Sequence, residues 1–249
     1  MKKLPIGLQL YSLRDAAAED FVGVLKTTAE LGYEGVEFAG YGGLSSAEMK
    51  EYLDQYGLKP VSSHISYDEL TANFSEIIAY NKEIGSNTIV CPVPPQGFEQ
   101  SIENWKTFAR QMTELGRKCA DEGFRLGYHN HSFEFQKFDG LYGLDIFYGE
   151  ADPEYVFAQL DLGWVMHGGE NPIEYLRKFK GRCPLVHVKD FDASKEQTDV
   201  GCGELDLPGI IRTAHDVGVE WLILETEVYK VSPVESVKVG LKNLKAAQE

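Results

Sequence analysis

The 249-residue sequence has no long hydrophobic run, since no stretch approaches the roughly 20 apolar residues that a membrane-spanning helix requires. We therefore expect no membrane as a partner. An apolar signal region is also lacking, because residues 1–5 lead directly into a strand-like pattern. The four cysteines are scattered and form no Cys-x-x-Cys pair, which argues against a zinc-ribbon or disulfide framework. Together these absences predict a cytoplasmic protein with reduced thiols.

Positive charge is scarce: 24 Lys and Arg residues stand against 39 Asp and Glu, giving a formal net charge of -15. Such a chain repels a phosphate backbone, so we expect no nucleic acid as a partner. Low-complexity tracts, charge blocks and Ser/Gly linkers are absent as well. We therefore predict one domain over residues 1–249, a length typical of α/β barrels, which commonly run to about 250 residues.

What recurs is a unit made of a short apolar run, a loop with Gly or Pro, and a longer amphipathic stretch. Eight such units predict parallel strands joined by right-handed crossovers, and at this length a closed (β/α)8 barrel fits better than an open sheet. No Gly-x-Gly-x-x-Gly follows the first strand, which weakens the dinucleotide-binding alternative. The predicted strands are 6–12, 35–40, 60–66, 88–93, 125–131, 156–164, 184–191 and 221–227, and the predicted helices about 17–31, 45–56, 68–84, 101–122, 141–150, 172–179, 207–217 and 233–247.

Residue parity makes this barrel testable, because strand side chains alternate between a helix-covered outer face and the barrel interior. In the seventh strand Val186 and Val188 are apolar, whereas His187 and Lys189 are ionisable. In the third strand we expect Val61 on the outer face. Barrel enzymes carry their chemistry at the carboxyl ends of the strands. The ionisable residues predicted at that end are Glu37, His64, His129, His131, Glu134, Asp161, His187, Lys189, Glu225 and Glu227.

Several carboxylates buried near one axis are costly unless cations or hydrogen bonds compensate them. A divalent metal ion is an economical compensation, and mixed carboxylate and imidazole ligands suit Mn, Co, Mg or Zn. The alternative is that each group is an ordinary hydrogen-bonded core or rim residue. Because six strands converge on the same end, we predict one divalent metal ion as a cofactor.

Segments in almost the whole chain carry a resemblance to a known family. The most telling are Tyr128-His-Asn-His-Ser-Phe-Glu-Phe135 and His187-Val-Lys-Asp190; others begin at Gly7, Gly32, Ser62, Asp161, Gly201 and Ile223. In these segments the sequence resembles the xylose-isomerase-like barrel superfamily, whose members are commonly called sugar phosphate isomerase/epimerase proteins. The resemblance implies a (β/α)8 barrel with a metal site at the carboxyl ends of its strands.

The resemblance further implies a Glu-Asp-His-Glu metal site supplied by strands five to eight. Its last three ligands are carried over to Asp161, His187 and Glu225. The first ligand is less direct, because many relatives have a Glu on strand five where this sequence has histidines. The motif of the fifth strand points to Glu134, with His129 or His131 as the substitute.

For Glu134 to turn inward, the fifth strand must break after His131. Parity alone does not decide this, because His131 and Glu134 would face opposite ways on a continuous strand.

A metal held in this way can chelate a carbonyl and an adjacent hydroxyl and stabilise the enediolate formed by proton removal. We predict Glu134 and Glu225 as the proton-transfer pair, with His131 and Lys189 as further catalytic groups. Lys189 could instead simply pair with Asp161. Relatives often read Asp-x-Gly-His where this chain has Trp164, so an indole is expected to contact the substrate. The predicted substrate-binding residues are Gln9, Tyr11, Glu37, His64, His129 and Trp164.

The resulting hypothesis is a metal-dependent isomerase or epimerase acting on a small ketose or keto-sugar. The alternative is a lyase of the same fold, which dehydrates a keto-inositol or eliminates from a 3-keto-glycoside. An abasic-site endonuclease of this superfamily uses a His-rich trinuclear site and a basic surface, which six histidines and a net charge of -15 disfavour. A non-enzymatic binding barrel would leave the clustered carboxylates without a role.

The loops after strands seven and eight are rich in carboxylates, so we expect an unphosphorylated sugar or cyclitol as the substrate. A homo-oligomer is compatible with the sequence.

Overall fold

Eight parallel strands close into a barrel in the computed structural model, which describes residues 3–249. Met1 and Lys2 lie outside the described residues. The predictions of a single domain and of no signal region include these two residues. Each strand pairs with its neighbours in chain order, and the first also pairs with the last, which confirms the predicted barrel. The strands are β1 Ile6–Gln9, β2 Gly35–Phe38, β3 Lys59–His64, β4 Thr88–Cys91, β5 Arg125–His129, β6 Val156–Asp161, β7 Leu185–Val188 and β8 Trp221–Leu224.

Eleven α-helices in the described part of the chain follow or connect the strands. Two of the predicted helices are each divided in two, and the first of these breaks at Asp20, whose side chain accepts the Gly23 N–H and starts a new helix. Among residues 3–249, no helix combines the length and apolarity needed to span a bilayer. The helices are α1 Arg14–Glu19, α2 Phe21–Leu31, α3 Ser46–Tyr56, α4 Tyr67–Ala72, α5 Phe74–Ile84, α6 Ile102–Asp121, α7 Gly143–Glu150, α8 Leu162–His167, α9 Pro172–Lys178, α10 Leu207–Val217 and α11 Pro233–Ala247.

The hydrophobic core has two parts, on the two faces of the strands. The larger part lies between strands and helices and includes Val186 and Val188, as parity predicts. The smaller part fills the amino-terminal half of the barrel interior and consists of Val61, Val90, Phe157, Leu185 and Ile223. The polar residues therefore lie above an apolar floor, at the carboxyl ends of the strands.

The prediction that Val61 faces outward is wrong, and a β-bulge explains why. Along β2 and β3, Val36 pairs with Pro60 but the next residue, Glu37, pairs with Ser62. The extra residue in β3 shifts the alternation, so Val61 lies in the inner cluster. The same shift sets the hydroxyl of Ser62 against the Glu37 carboxylate.

Several strands are shorter than predicted, because side chains at their ends start helical turns. Gln9 ends β1 and accepts the Tyr11 N–H, so Tyr11 lies in a 3₁₀-helix, Leu10–Leu13, and not on the strand. Asp161 ends β6 and accepts the Trp164 N–H, so Trp164 lies in α8. Parity over the predicted strands 6–12 and 156–164 therefore fails beyond these two caps.

The seventh predicted strand also ends early, and its last residues form a hairpin in which Asp190–Phe191 pairs with Gln197–Thr198. The buried carboxylate of Asp190 accepts four backbone N–H groups within the loop that follows β7. Three of them belong to Gly201, Gly203 and Leu205, at 2.9–3.1 Å. A single carboxylate thus fixes the path of the loop beside the site.

The barrel interior leaves no room for a side chain at Gly127 on β5. An added Cβ would lie 2.4 Å from the ring of Phe157, so we expect Gly127→Ala to lower the free energy of unfolding by about 1–3 kcal/mol. In the exposed control Gly149→Ala, the Cβ meets no described atom within 4 Å, so stability stays equal or rises. Equilibrium urea unfolding measures both, and equal stability of the two variants would contradict the packing of this layer.

Candidate metal and substrate site

Polar side chains fill the carboxyl half of the barrel interior, above the apolar floor. Buried charges in such a position must be paired or hydrogen-bonded. The buried polar residues contributed here by the strands and their ends are Gln9, Glu37, Ser62, His129, Gln159, Asp161, His187, Lys189 and Glu225.

Glu37 lies at the centre of this layer and is fully buried. Its Oε1 accepts from Gln9 Nε2 at 2.8 Å and from His187 Nε2 at 2.5 Å. Its Oε2 accepts from Ser62 Oγ at 2.6 Å and from Gln159 Nε2 at 2.5 Å. Burial alone would raise the pKa of Glu37, but the imidazoles that face it hold this pKa well below its usual range.

Gln159 joins the other two central histidines to Glu37. Its Oε1 lies 2.8 Å from His64 Nε2 and 3.1 Å from His129 Nδ1. Sequence reasoning did not select Gln159 as a site residue, although parity puts it on the inner face two residues before Asp161. That alternation is the signal that could have found it.

His187 lies between two carboxylates. Its Nδ1 is 3.0 Å from Glu225 Oε2, and its Nε2 faces Glu37. Burial would lower the pKa of His187, but the two carboxylates raise it to about 10. Without a metal ion, the imidazolium therefore supplies positive charge to the site.

Lys189 supplies a second buried positive charge. Its Nζ lies 2.6 Å from Glu227 Oε1, 3.1 Å from Glu225 Oε2 and 3.5 Å from Asp161 Oδ2. Burial opposes the charged form, but these carboxylates outweigh it and raise the pKa of Lys189 above its usual value. The ion pair with Asp161 that the sequence left open is thus present, at long range.

Asp161 uses only one of its carboxylate oxygens in hydrogen bonds. Oδ1 accepts the Trp164 N–H at 2.9 Å, whereas buried Oδ2 accepts no hydrogen bond from residues 3–249. The backbone of Asp161 is fixed by Asn130, whose Oδ1 accepts its N–H at 3.0 Å. Burial raises the pKa of Asp161 to about 6, against the opposing effect of Lys189. Sequence reasoning missed Asn130, although it belongs to the motif of the fifth strand.

Four ligand atoms, one each from His129, Asp161, His187 and Glu225, lie within 4.8 Å of one another and are buried. This group could hold a divalent metal ion, and Asp161 Oδ2, which accepts no hydrogen bond from the described residues, fits a ligand role. The structure thus brings together three predicted ligands with His129, the substitute named for strand five. A second, overlapping group consists of His64, His129 and His187.

Among the described residues, Glu134 belongs to neither of the two candidate metal-binding groups. The expected break occurs, because β5 ends at His129 and residues 133–135 form a 3₁₀-helix. The buried carboxylate nevertheless accepts from Tyr128 OH at 2.7 Å and from the His131 N–H at 2.8 Å. Burial raises the pKa of Glu134 to about 8.

A cavity of about 420 Å³ opens above the four-residue group. Of the predicted catalytic residues, His131 and Glu225 line it, whereas Lys189 and Glu134 do not. Of the predicted substrate-binding residues, Tyr11, His64 and His129 line it, whereas Gln9, Glu37 and Trp164 do not. These catalytic and substrate-binding roles therefore remain predictions, some for residues that line the cavity and others for residues that do not. The lining residues are Tyr11, Ala39, His64, Pro92, Val93, His129, His131, Glu225 and Glu227.

His131 and Trp164 lie side by side at the edge of the site, with ring centroids 6.3 Å apart. Burial and the charge of Lys189 lower the pKa of His131 to about 4, so its imidazole is neutral near pH 7. His131 Nδ1 and Trp164 Nε1 are buried atoms without a hydrogen-bond partner among the described residues. The indole also covers Lys189, whose Nζ lies 5.0 Å from the ring centroid.

Comparison with known proteins places this arrangement in a family. An inosose dehydratase from Clostridium beijerinckii is 25% identical over 264 residues, covering 90% of this chain and 88% of its own. The rhizopine catabolism protein MocC from Rhizobium meliloti is 25% identical over 260 residues, covering 88% and 79%. The solved structure of a sugar phosphate isomerase/epimerase from Parabacteroides distasonis superimposes with a TM-score of 0.83 at 24% identity, covering 100% of this chain and 96% of its own. Residues 25–247 match the model of one family, and the chain therefore belongs to the xylose isomerase-like TIM barrels.

Proposed function

We propose that the protein is a metal-dependent enzyme that removes a proton next to the ketone of a ketose, keto-sugar or keto-inositol. One observation carries this proposal: four buried ligand atoms converge beneath an open cavity. Hydrogen bonds alone do not satisfy the site, because Asp161 Oδ2 receives none within residues 3–249 and only the Lys189 ammonium faces it, at 3.5 Å.

The metal ligands in this proposal are His129, Asp161, His187 and Glu225. A divalent cation bound there would act as a Lewis acid on the substrate carbonyl and acidify the adjacent C–H group. Lys189 keeps the Glu225 and Glu227 carboxylates fixed at the cavity wall through its two short ion pairs.

The proton-transfer groups are Glu225 and His131, which both line the cavity. Burial would raise the pKa of Glu225, but Lys189 and His187 hold it well below its usual range, so the carboxylate is ionised. His131 is neutral near pH 7 and can accept a proton. Glu134, which accepts the backbone N–H of His131, serves to orient that residue.

Return of the proton to carbon gives isomerisation or epimerisation, which is the first candidate outcome. Loss of a neighbouring hydroxyl gives dehydration, and the name of the relative from Clostridium beijerinckii, an inosose dehydratase, favours this second candidate. Both outcomes share the same proton removal, so the same base serves both; in dehydration the hydroxyl then takes up a proton and leaves as water.

The substrate is proposed to be unphosphorylated. Glu225 and Glu227 line the cavity, and none of the described lining residues is Lys or Arg. Lys189 is already paired with three carboxylates. The nearby Arg14 donates to Tyr229 OH and to the carbonyls of Tyr11 and Glu227, so acceptors of the protein itself hold its guanidinium.

The ligand set is tested by metal content. We expect Asp161→Asn and His129→Asn to lose the bound Mn²⁺ that the wild-type protein retains after dialysis, because each removes one ligand. Glu134→Gln, an equally buried carboxylate outside the group, should retain one ion per chain. Plasma emission measures the metal, and circular dichroism checks the fold. Loss of metal in Glu134→Gln with retention in His129→Asn would move the strand-five ligand to Glu134.

The reaction is tested in deuterated water. Metal-loaded protein should catalyse deuterium incorporation next to the ketone of a ketose, a keto-inositol or a 3-keto-glucoside, and NMR should identify an epimer, an isomer or a dehydrated product. Glu225→Gln should lose exchange by two or more orders of magnitude, on the order of 10²–10⁴-fold. The exposed control Glu30→Gln on α2 should match the wild type. Absence of exchange with all three substrate classes would refute the proposed reaction.

The charge preference is tested with paired substrates. Because two carboxylates line the cavity, kcat/KM should be higher for a free ketose than for its phosphorylated counterpart, and Glu227→Gln should narrow the difference. Steady-state kinetics at fixed ionic strength measures both ratios. A higher kcat/KM for the phosphorylated substrate would show that the cavity accepts a dianion.

A further inference from the structure

Glu37 does not line the cavity, yet it contacts more of the polar layer than any cavity-lining carboxylate does. Besides Gln9 and Ser62, it contacts His187 and Gln159 directly, and His64 Nε2 lies 3.0 Å from its Oε1. Two of the four candidate metal ligands, His187 and His129, are therefore linked to this one buried carboxylate, the second through Gln159.

The charge of Glu37 fixes the orientation of the Gln159 amide. A carboxylate only accepts hydrogen bonds, so the group 2.5 Å from Glu37 Oε2 must be the Gln159 NH₂. The Gln159 carbonyl oxygen then faces His64 and His129, and it too only accepts. His129 must therefore carry its proton on Nδ1, which leaves the lone pair of Nε2 free.

His187 is oriented by Glu37 in the same sense. Its Nε2 donates to Glu37 Oε1, while its Nδ1 faces Glu225 within the four-residue group. In both histidines, the nitrogen on the side of Glu37 is a donor. The other nitrogen is free in His129, whereas in His187 it donates to Glu225 and can become a ligand when a cation displaces its proton. Metal-bound histidines commonly donate their second N–H to a carboxylate or amide oxygen in this way.

The same hydrogen bonds distinguish the two overlapping ligand groups. Three imidazole nitrogens converge on Glu37 and Gln159. They are His64 Nε2, His129 Nδ1 and His187 Nε2. All three donate there, so none has a lone pair for a cation on that side. On the other side, Asp161 and Glu225 join His129 and His187 in the four-residue group, where their carboxylate oxygens can bind a cation.

We propose that Glu37 is a positioning residue that orients His187 directly, sets the tautomer of His129 through Gln159, and confines a single metal ion to the Asp161 side. This inference rests on the proposed metal site, but it assigns to Glu37 a role different from the substrate contact expected from the sequence. It acts through the ligands and does not line the cavity.

The first test uses metal-free protein with ¹⁵N-labelled histidine. Two-bond ¹⁵N–¹H correlation spectra should show neutral His129 as the Nδ1–H tautomer, and Gln159→Leu, which removes the acceptor, should shift it toward the Nε2–H form. Wild-type His129 in the Nε2–H form would overturn the inference without reference to activity.

The second test is Mn²⁺ affinity measured by calorimetry. Glu37→Gln should weaken binding about 10–100-fold, the range found when such outer partners are removed. Gln159→Leu, whose side chain is apolar and of similar size, should do the same and serves if Glu37→Gln does not fold. The control Asp145→Asn alters a half-buried carboxylate outside this network, which accepts a hydrogen bond from Tyr175 OH, and it should bind Mn²⁺ like the wild type.

The possible outcomes separate the two proposals. Equal Mn²⁺ affinity in wild type, Glu37→Gln and Gln159→Leu overturns the role of Glu37 alone. Absence of Mn²⁺ binding to the wild type overturns the metal site and with it both proposals. Normal metal binding with the expected loss in Glu37→Gln, but no deuterium exchange on any ketone, overturns only the proposed reaction.

Discussion

The imidazole of His187 lies between the carboxylates of Glu37 and Glu225, in a barrel whose other half is filled with apolar side chains. Removing one partner of a buried ion pair typically costs about 3–5 kcal/mol, because the remaining charge is left uncompensated. Other polar residues of this layer satisfy the two carboxylates. Lys189 neutralises the carboxylates on one side, and Gln159 and Ser62 complete the hydrogen bonds of Glu37 on the other.

The apolar floor and the polar layer of the barrel interior have different roles. Val90, Phe157 and Ile223 fill the amino-terminal half and contribute to stability through burial. The charged side chains of the interior lie toward the carboxyl ends of the strands, on the side of the cavity. A group that must bind a ligand is thereby separated from the groups that close the barrel, so a change of polarity in the upper layer leaves the floor intact.

Much of this arrangement follows from the sequence, because alternation along a strand survives in the folded barrel. The eight strands, the outer position of Val186 and Val188, and the convergence of Asp161, His187 and Glu225 were predictable on that basis. The bulge that turns Val61 inward was not, because it depends on pairing between β2 and β3 and not on either strand alone.

The remaining differences arise where side chains compete for backbone groups. Gln9 and Asp161 end their strands by capping the following turns, which parity does not register. For Glu134, the break in β5 was foreseen, but its hydrogen bonds to Tyr128 and to the His131 backbone depend on how the loop folds back. Gln159 was not predicted because its amide is uncharged and the site prediction rested on ionisable residues. The same alternation nevertheless places it on the inner face.

The loop after β7 shows how this scaffold can accommodate change. Asp190 holds it through four main-chain N–H groups, so the course of the loop does not depend on which side chains its exposed residues carry. Gly203 is an exception, because a Cβ there would lie 2.4 Å from Asp190 Oδ1. Gly201 is another, because its φ is 84° and a Cβ there would lie 2.6 Å from the side chain of Asn243. The other exposed positions of this segment can diverge between homologues without changing the path of the loop.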